Sequence, residues 1–353
     1  MKKIRVLIVD DSSFMRMAIR GFLSHDPEIE VAGVASDGSD AVAKAALLRP
    51  DIITMDVEMP VMDGISAVRK IMATTPTRII MVSTLTSSGA TASFEALEAG
   101  AIDYIPKNTS DAPGGQDQFR AELLRKIKDA AHASIATGPA KTPAPHGGIV
   151  IERKVSVTST KRVKYIGIGA STGGPPAVQD VLSRLPAGFP HAIMVAIHMP
   201  QAFTGPYAER LNANCRLPVR EAADGDILKA GEVLIAPGGK HLTLVRRPQG
   251  ITVRISPTSD YKSHFYVPSV DLMMCSLVEA ADGPVLGVVL TGMGNDGLKG
   301  MQLLKSKGGI TIVQDKSTST IYGMPRACVE GGVADEILPL EMIGPAIAQM
   351  KGA

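Results

Sequence analysis

The chain has 353 residues, 45% of them apolar and 20% charged, and a formal net charge of +2. That length exceeds what one hydrophobic core usually spans and predicts about two globular domains, and a near-neutral balance argues against a dedicated nucleic-acid binder. The apolar runs are strand-sized and the VLIV stretch after Met1-Lys2-Lys3 is too short for a signal-peptide core, so no membrane insertion and a cytoplasmic location are expected; Cys215, Cys275 and Cys328 lie too far apart for a CxxC metal pair or a disulfide framework.

Short apolar runs at 4–10, 29–35, 51–56, 77–83 and 101–106 alternate with helix-sized segments at 13–24, 38–48, 64–74 and 90–99. Five β-α repeats predict a parallel sheet with helices on both faces, and in such sheets functional groups gather at the carboxyl ends of the strands. Asp10 and Asp11 end the first strand, Asp56 the third and Ser83 the fourth, and Lys107 follows the fifth. Three carboxylates at one edge repel one another unless a cation joins them. A hard divalent ion with oxygen ligands, Mg²⁺, fits that need, and a carboxylate beside such an ion and a lysine can accept a phosphoryl group.

Residues 3–130 thus resemble the receiver domain of two-component response regulators, a flavodoxin-like doubly wound fold. The resemblance implies Asp56 as phosphoacceptor, an Mg²⁺ pocket formed by Asp10, Asp11 and Asp56, and a histidine kinase as phosphodonor. It also implies Ser83 as the hydroxyl that senses the phosphoryl group, with Thr84 as runner-up, Lys107 as its cationic partner and Tyr104 as a rotating aromatic. Receivers usually carry Lys-Pro with a cis peptide after the fifth strand; here Asn108 follows Lys107, and a cis bond without proline costs about 2.5–4 kcal/mol.

Residues 1–133 hold 15 basic and 18 acidic side chains, residues 134–164 six and one, and residues 165–353 sixteen of each. The basic excess therefore sits in a segment rich in Pro, Gly, Ser and Thr, which predicts a flexible basic linker over 134–163 between a domain at 1–133 and another at 164–353.

Beyond it, YIGIGA (165–170) reads as a buried strand, followed by a Gly-rich turn and a helix opened by Pro175-Pro176. Such a unit is anion-friendly, but Gly167 and Gly169 with Thr172 in place of the third glycine break the dinucleotide fingerprint, and the next strand ends in His198 rather than an acidic ribose ligand. Gly169-Ala170-Ser171-Thr172-Gly173 fits instead a Gly-x-Ser-x-Gly turn that exposes a serine. A serine needs a base and the base an orienting acid; His198 supplies the base if the two strands are neighbours, and the GVVLTGMGNDG stretch (287–297) presents Asp296. An α/β-hydrolase order would instead need His241 or His264 preceded by Asp224, Asp226 or Asp260, all in hairpin-like stretches.

GASTGGP, IHMP, APGGKH, PSVD, LTGMGNDG and YGMPR resemble, in order and spacing over residues 164–350, the catalytic domain of the chemotaxis protein-glutamate methylesterases (CheB family). The resemblance implies a Rossmann-like α/β domain with a mostly parallel sheet. It also implies Ser171 as nucleophile, His198 as base, Asp296 as its orienter, the Met293 N–H at the oxyanion and Thr172 lining the site. His241, Asp271, Met324 and Arg326 match motifs without a role attached. The implied reaction is hydrolysis of glutamate γ-methyl esters on chemoreceptor helices and deamidation of receptor glutamines, by a monomer whose ester hydrolysis uses no cofactor. A phosphorylation-gated binding module with an inactive second domain and a dinucleotide-binding oxidoreductase are the competing readings.

Overall fold

Apolar runs bounded by capping residues become the elements of the first half. In the computed structural model, which describes residues 2–84, 86–107, 115–131 and 162–350, the chain divides into two units, Met1–Ile149 and Val150–Ala353. The expected linker at 134–163 lies outside the described residues apart from Arg162 and Val163, as does the peptide after Lys107.

The first unit runs β1 (Ile4–Val9), α1 (Ser13–Ser24), β2 (Ile29–Ala35), α2 (Gly38–Leu48), β3 (Ile52–Asp56), α3 (Gly64–Thr74), β4 (Arg78–Thr84), α4 (Ser87–Glu98), β5 (Asp103–Lys107) and α5 (Gly115–Ala130). Helix starts follow the sequence chemistry: Ser12, Asp37 and Asp63 accept hydrogen bonds from the first-turn N–H groups of α1, α2 and α3. The five strands are all parallel in the order β2-β1-β3-β4-β5, the flavodoxin-like order. Val6, Leu7, Ile8, Ile52, Ile53, Ile79 and Ile80 are fully buried between the helix layers, each contributing about 1.5–3 kcal/mol by leaving water. This order sets the ends of β1 and β3 side by side, with the end of β5 one strand further on, across β4.

The second unit runs β6 (Tyr165–Ala170), α6 (Gly174–Ser183), β7 (Ala192–Ile197), α7 (Gln201–Asn214), β8 (Val219–Glu221), β9 (Val233–Ile235), β10 (His241–Arg247), β11 (Gly250–Ser256), α8 (Val270–Ala280), β12 (Val285–Val289), α9 (Leu298–Ser306), β13 (Ile310–Gln314), α10 (Met324–Glu330), β14 (Glu336–Leu338) and α11 (Leu340–Ala348). Seven strands form one parallel sheet in the order β14-β13-β12-β6-β7-β9-β8. The antiparallel hairpin β10-β11 stands apart from it. The chain leaves β6 toward β7 on one side and returns as β12 on the other, so the carboxyl end of β6 is a switch point where a crevice opens.

The glycines of β6 have a packing cause. A Cβ on Gly169 would lie 2.2 Å from Val270 Cγ1 and one on Gly167 2.6 Å from Met274 Sδ, so both admit α8 close against the strand. The Gly-x-Gly spacing thus serves a close helix-sheet contact.

Candidate functional site

At the end of β6 the chain turns through Ser171 and Thr172, and the positive φ the turn requires falls on Gly173 (73°) rather than on the serine. β6 pairs directly with β7, so Ser171 and His198 follow adjacent strand ends. β12 pairs with β6 on its other side, and the loop after it carries Asp296. Ser171 Oγ lies 3.0 Å from His198 Nδ1, and His198 Nε2 lies 2.8 Å from Asp296 Oδ2. The tautomer that satisfies both contacts has Nε2–H donating to the carboxylate and Nδ1 accepting from the serine hydroxyl. The two ring nitrogens thus serve the reverse partners from those in the chymotrypsin template.

Asp296 is 4% exposed. Its Oδ2 also accepts from Val270 N–H (2.8 Å), and its Oδ1 accepts from Asp271 N–H (2.8 Å) and Ser269 Oγ (3.1 Å), so it sits on the first turn of α8. Burial alone would raise this carboxyl, but His198 and the N–H groups of Asp271 and Val270 outweigh it and hold the group below its ordinary range. Asp271 returns the favour by accepting from Gly297 and Gly300 N–H at 2.9 Å each, at the start of α9. Its own carboxyl is pushed up by burial, with the Asp296 charge adding to the shift. The two carboxylates therefore brace each other's helix, a function that the motif match left open for Asp271.

The remaining matched residues are placed as follows. Gly292 presses on Ser171 and Met324: a Cβ there would meet Met324 Sδ at 2.4 Å and the Ser171 Cβ at 2.8 Å. Met293, half-buried, follows in the same loop. Thr172 is buried, and its carbonyl accepts from Thr291 Oγ1 at 3.0 Å. Arg326 is exposed and pairs with Glu330 on its own helix. His241 is fully buried, with its ring 5.4 Å from Tyr261 and 6.0 Å from His264, and burial with the neighbouring His264 lowers its pKa. The α/β-hydrolase order finds no support: Asp226 pairs with Arg220, Asp224 accepts from Ile255 N–H, and neither His241 nor His264 meets a carboxylate among the described residues. Burial pushes the thiols of Cys215 and Cys275 up to about 11 and that of Cys328 to about 12, which leaves no competing thiolate nucleophile.

Sequence reasoning missed two neighbours of the triad. Ser269, the N-cap of α8, shares its hydroxyl between Asp296 and the Leu272 N–H; it lay inside PSVD and was readable as a cap. Tyr266 stacks on the His198 ring, centroids 4.6 Å apart and planes within 7°, and nothing in the local pattern signals it.

In the first unit, Lys107 Nζ lies 2.9 Å from Asp10 Oδ2 and 2.7 Å from Asp56 Oδ2. One ligand oxygen each from Asp10, Asp11 and Asp56 can be chosen within 4.8 Å of one another. Asp10 Oδ2 is buried and, although close to Lys107, receives no hydrogen bond of good geometry, so a hard cation fits this donor set. Burial pushes Asp56 up to about 6; Lys107 opposes that shift and the Asp10 charge adds to it. Lys107 is itself raised, because the two carboxylates outweigh its own desolvation. Gly64 lets α3 begin tight against this strand end, since a Cβ there would lie 1.9 Å from the Asp56 carbonyl oxygen. The buried Ser83 hydroxyl donates to the Gly89 carbonyl at 3.1 Å, whereas Thr84 is exposed. Tyr104 is buried edge-on to Phe94, 6.3 Å between ring centroids, with Lys126 Nζ 5.2 Å from its own ring centroid.

A receiver-type unit and an α/β unit bearing a hydroxyl-imidazole-carboxylate chain define a response regulator with a hydrolase-like second half. The response regulator receiver domain model matches residues 6–113, and the CheB methylesterase model matches residues 166–347. The chain belongs to the CheB methylesterase family. It is 59% identical to a Geobacter sulfurreducens protein named protein-glutamate methylesterase/protein-glutamine glutaminase 1, over 99% of this chain and 98% of that protein. A Lawsonia intracellularis protein named protein-glutamate methylesterase/protein-glutamine glutaminase is 44% identical over 98% of each. The crystal structure of the Thermotoga maritima CheB methylesterase catalytic domain is 37% identical, with a TM-score of 0.50, and covers 53% of this chain and 98% of that one. Among the described residues no helix is long and apolar enough to cross a membrane.

Proposed function

We propose that this chain is a phosphorylation-activated hydrolase that removes methyl groups from glutamate γ-methyl esters of chemoreceptors, releasing methanol. It also deamidates receptor glutamines to glutamate, giving adaptation in bacterial chemotaxis. The observation that carries this reading is the continuous hydrogen-bonded path Ser171–His198–Asp296 at the switch point of a parallel sheet.

Ser171 Oγ attacks the side-chain carbonyl carbon while His198 Nδ1 takes its proton. Asp296 holds the resulting imidazolium through Nε2–H, with no proton transfer to the acid needed. Collapse of the tetrahedral intermediate expels methanol or ammonia, which carries away the proton that His198 gives back, and leaves a glutamyl ester on Ser171. Water, deprotonated by the same nitrogen, hydrolyses that ester. Met293 N–H is assigned to the developing oxyanion, where one preorganised donor contributes about 10²–10³ in turnover, and Thr172 lines the site.

Residues 1–133 act as the receiver and residues 164–353 as the catalytic domain, joined by 134–163. Asp56 accepts the phosphoryl group from a chemotaxis histidine kinase. Asp10, Asp11 and Asp56 would hold Mg²⁺, which would supply charge neutralisation at the transferring group. Lys107 shares that task, Ser83 exchanges its Gly89 contact for the new oxygens, and Tyr104 follows. The protein works in the cytoplasm as a monomer on membrane-anchored substrates. Methanol release from methylated receptor membranes, with and without acetyl phosphate and Mg²⁺, tests the reading: release that acetyl phosphate accelerates is expected, and no release under either condition overturns it.

A further inference from the structure

The imidazole that carries the proposed chemistry is held by hydrogen bonds at its two nitrogens, both in the ring plane. Such bonds fix where the ring edges point but resist tilting about the Ser171–Asp296 line only weakly. The face of the ring is covered by Tyr266, whose plane is within 7° of the imidazole at a centroid distance of 4.6 Å. Tyr266 is seated from its other end as well. A Cβ built on Gly294, whose φ is 80°, would lie 2.2 Å from the Tyr266 hydroxyl oxygen and 3.0 Å from Cζ, so the phenol rests on bare backbone next to Met293. The tyrosine therefore spans from the proposed base to the loop assigned to the oxyanion.

We propose that Tyr266 is a positioning residue for the reaction. Its ring sets the tilt of His198 and lies against the imidazolium that forms at each proton transfer, and the bare backbone of Gly294 fixes the depth at which the phenol sits. The inference rests on the hydrolase reading. Two properties make it separable from a structural role. Tyr266 is only half-buried, so removing its ring leaves no sealed cavity. An electron-rich face also matters more to the charged ring than to the neutral one, so its loss acts on turnover and spares the binding of a neutral ester.

The test compares Tyr266→Leu, Tyr266→Met, Tyr266→Phe and the wild type in the full-length chain, with Ser171→Ala as the zero. Two rates are read: methanol release from methylated receptor membranes, and covalent labelling of Ser171 by a fluorophosphonate, which needs the activated serine and no receptor. The account expects Tyr266→Leu to lower kcat and the labelling rate about three- to tenfold with KM unchanged, and Tyr266→Phe to stay within about twofold of wild type. Tyr266→Met, unbranched and without a plane, gives the same loss and stands in should the leucine variant not fold. Wild-type rates in both aliphatic variants overturn the proposal, as does a phenylalanine variant as slow as leucine or a change confined to KM. Failure of the hydrolase reading shows differently: no methanol release by the wild type, with labelling still available to judge Tyr266.

Discussion

Replacement of Asp296 by asparagine separates charge and tautomer from shape. Each carboxylate oxygen accepts two hydrogen bonds: Oδ2 from His198 Nε2–H and Val270 N–H, Oδ1 from Asp271 N–H and Ser269 Oγ–H. An amide cannot accept at both ends. With its NH₂ toward His198, the imidazole must turn to the tautomer with Nδ1–H, which can no longer take the serine proton, and Val270 N–H loses its acceptor. With its NH₂ toward Ser269, the hydroxyl reorients but Asp271 N–H is left buried and unpaired. Either way one buried N–H is orphaned, at about 1–3 kcal/mol, and the charge that α8 favours at its first turn is gone. Thermal unfolding of the catalytic domain should fall by several degrees. With the NH₂ toward His198, turnover should fall roughly 10³–10⁴-fold from the mis-set tautomer, less than loss of the nucleophile, and in either orientation the charge that holds the imidazolium is gone. Methanol release and a melting curve on Asp296→Asn, with Asp226→Asn and Asp260→Asn alongside, read both effects. Near-normal turnover in Asp296→Asn, or an equal loss in either control, would refute the reasoning.

Asp56 should label from a small phosphodonor only with Mg²⁺ present, and Asp56→Asn or Asp11→Ala should abolish it; stable labelling of Asp56→Asn contradicts the assignment. Because burial raises the Asp56 carboxyl to about 6, its proton favours the fold: its contribution to receiver stability is full below the ordinary carboxylate range and is lost as pH rises through about 6. Urea titrations without metal should show that loss between pH 4 and 7 in the wild type and its absence in Asp56→Asn. Val61, exposed at a φ of 66°, carries a β-branched side chain in the left-handed region, so Val61→Gly should stabilise the receiver by roughly 1 kcal/mol in the same titrations; an unchanged midpoint rejects that strain. A fragment beginning near Val155 should hydrolyse receptor esters faster than the unphosphorylated full-length protein and ignore acetyl phosphate, whereas a fragment no faster than the resting whole means the receiver activates by contribution rather than by inhibition.

The receiver's fold was legible because its strands alternate strictly with helices, and a parallel sheet gathers strand-end residues at one edge whatever their distance in sequence. Asp10, Asp56 and Lys107 meet for that reason. Ser171 and His198 required one further fact, that β6 and β7 are neighbours. Asp296 required another: that β12 returns to the far side of β6, which chain order does not reveal. The mutual bracing of Asp271 and Asp296 was hidden because each acts on the other's helix start, across 25 residues. Gly167 and Gly169 were ambiguous in kind, since the same small residue serves a phosphate, a nucleophile turn or a close helix, and the approach of Val270 and Met274 adds the last of these. Tyr266 was invisible because a stacking contact leaves no periodicity behind.

The central claim, that Ser171 is the nucleophile of a hydrolase governed from a separate phosphoacceptor, is tested most directly by one paired measurement on Ser171→Ala: methanol release from methylated receptor membranes and phosphoryl uptake from acetyl phosphate in the same preparation. The account predicts release lowered by several orders of magnitude with uptake at Asp56 intact. Release above a few per cent of the wild-type rate contradicts the nucleophile, and lost uptake contradicts the independence of the two sites.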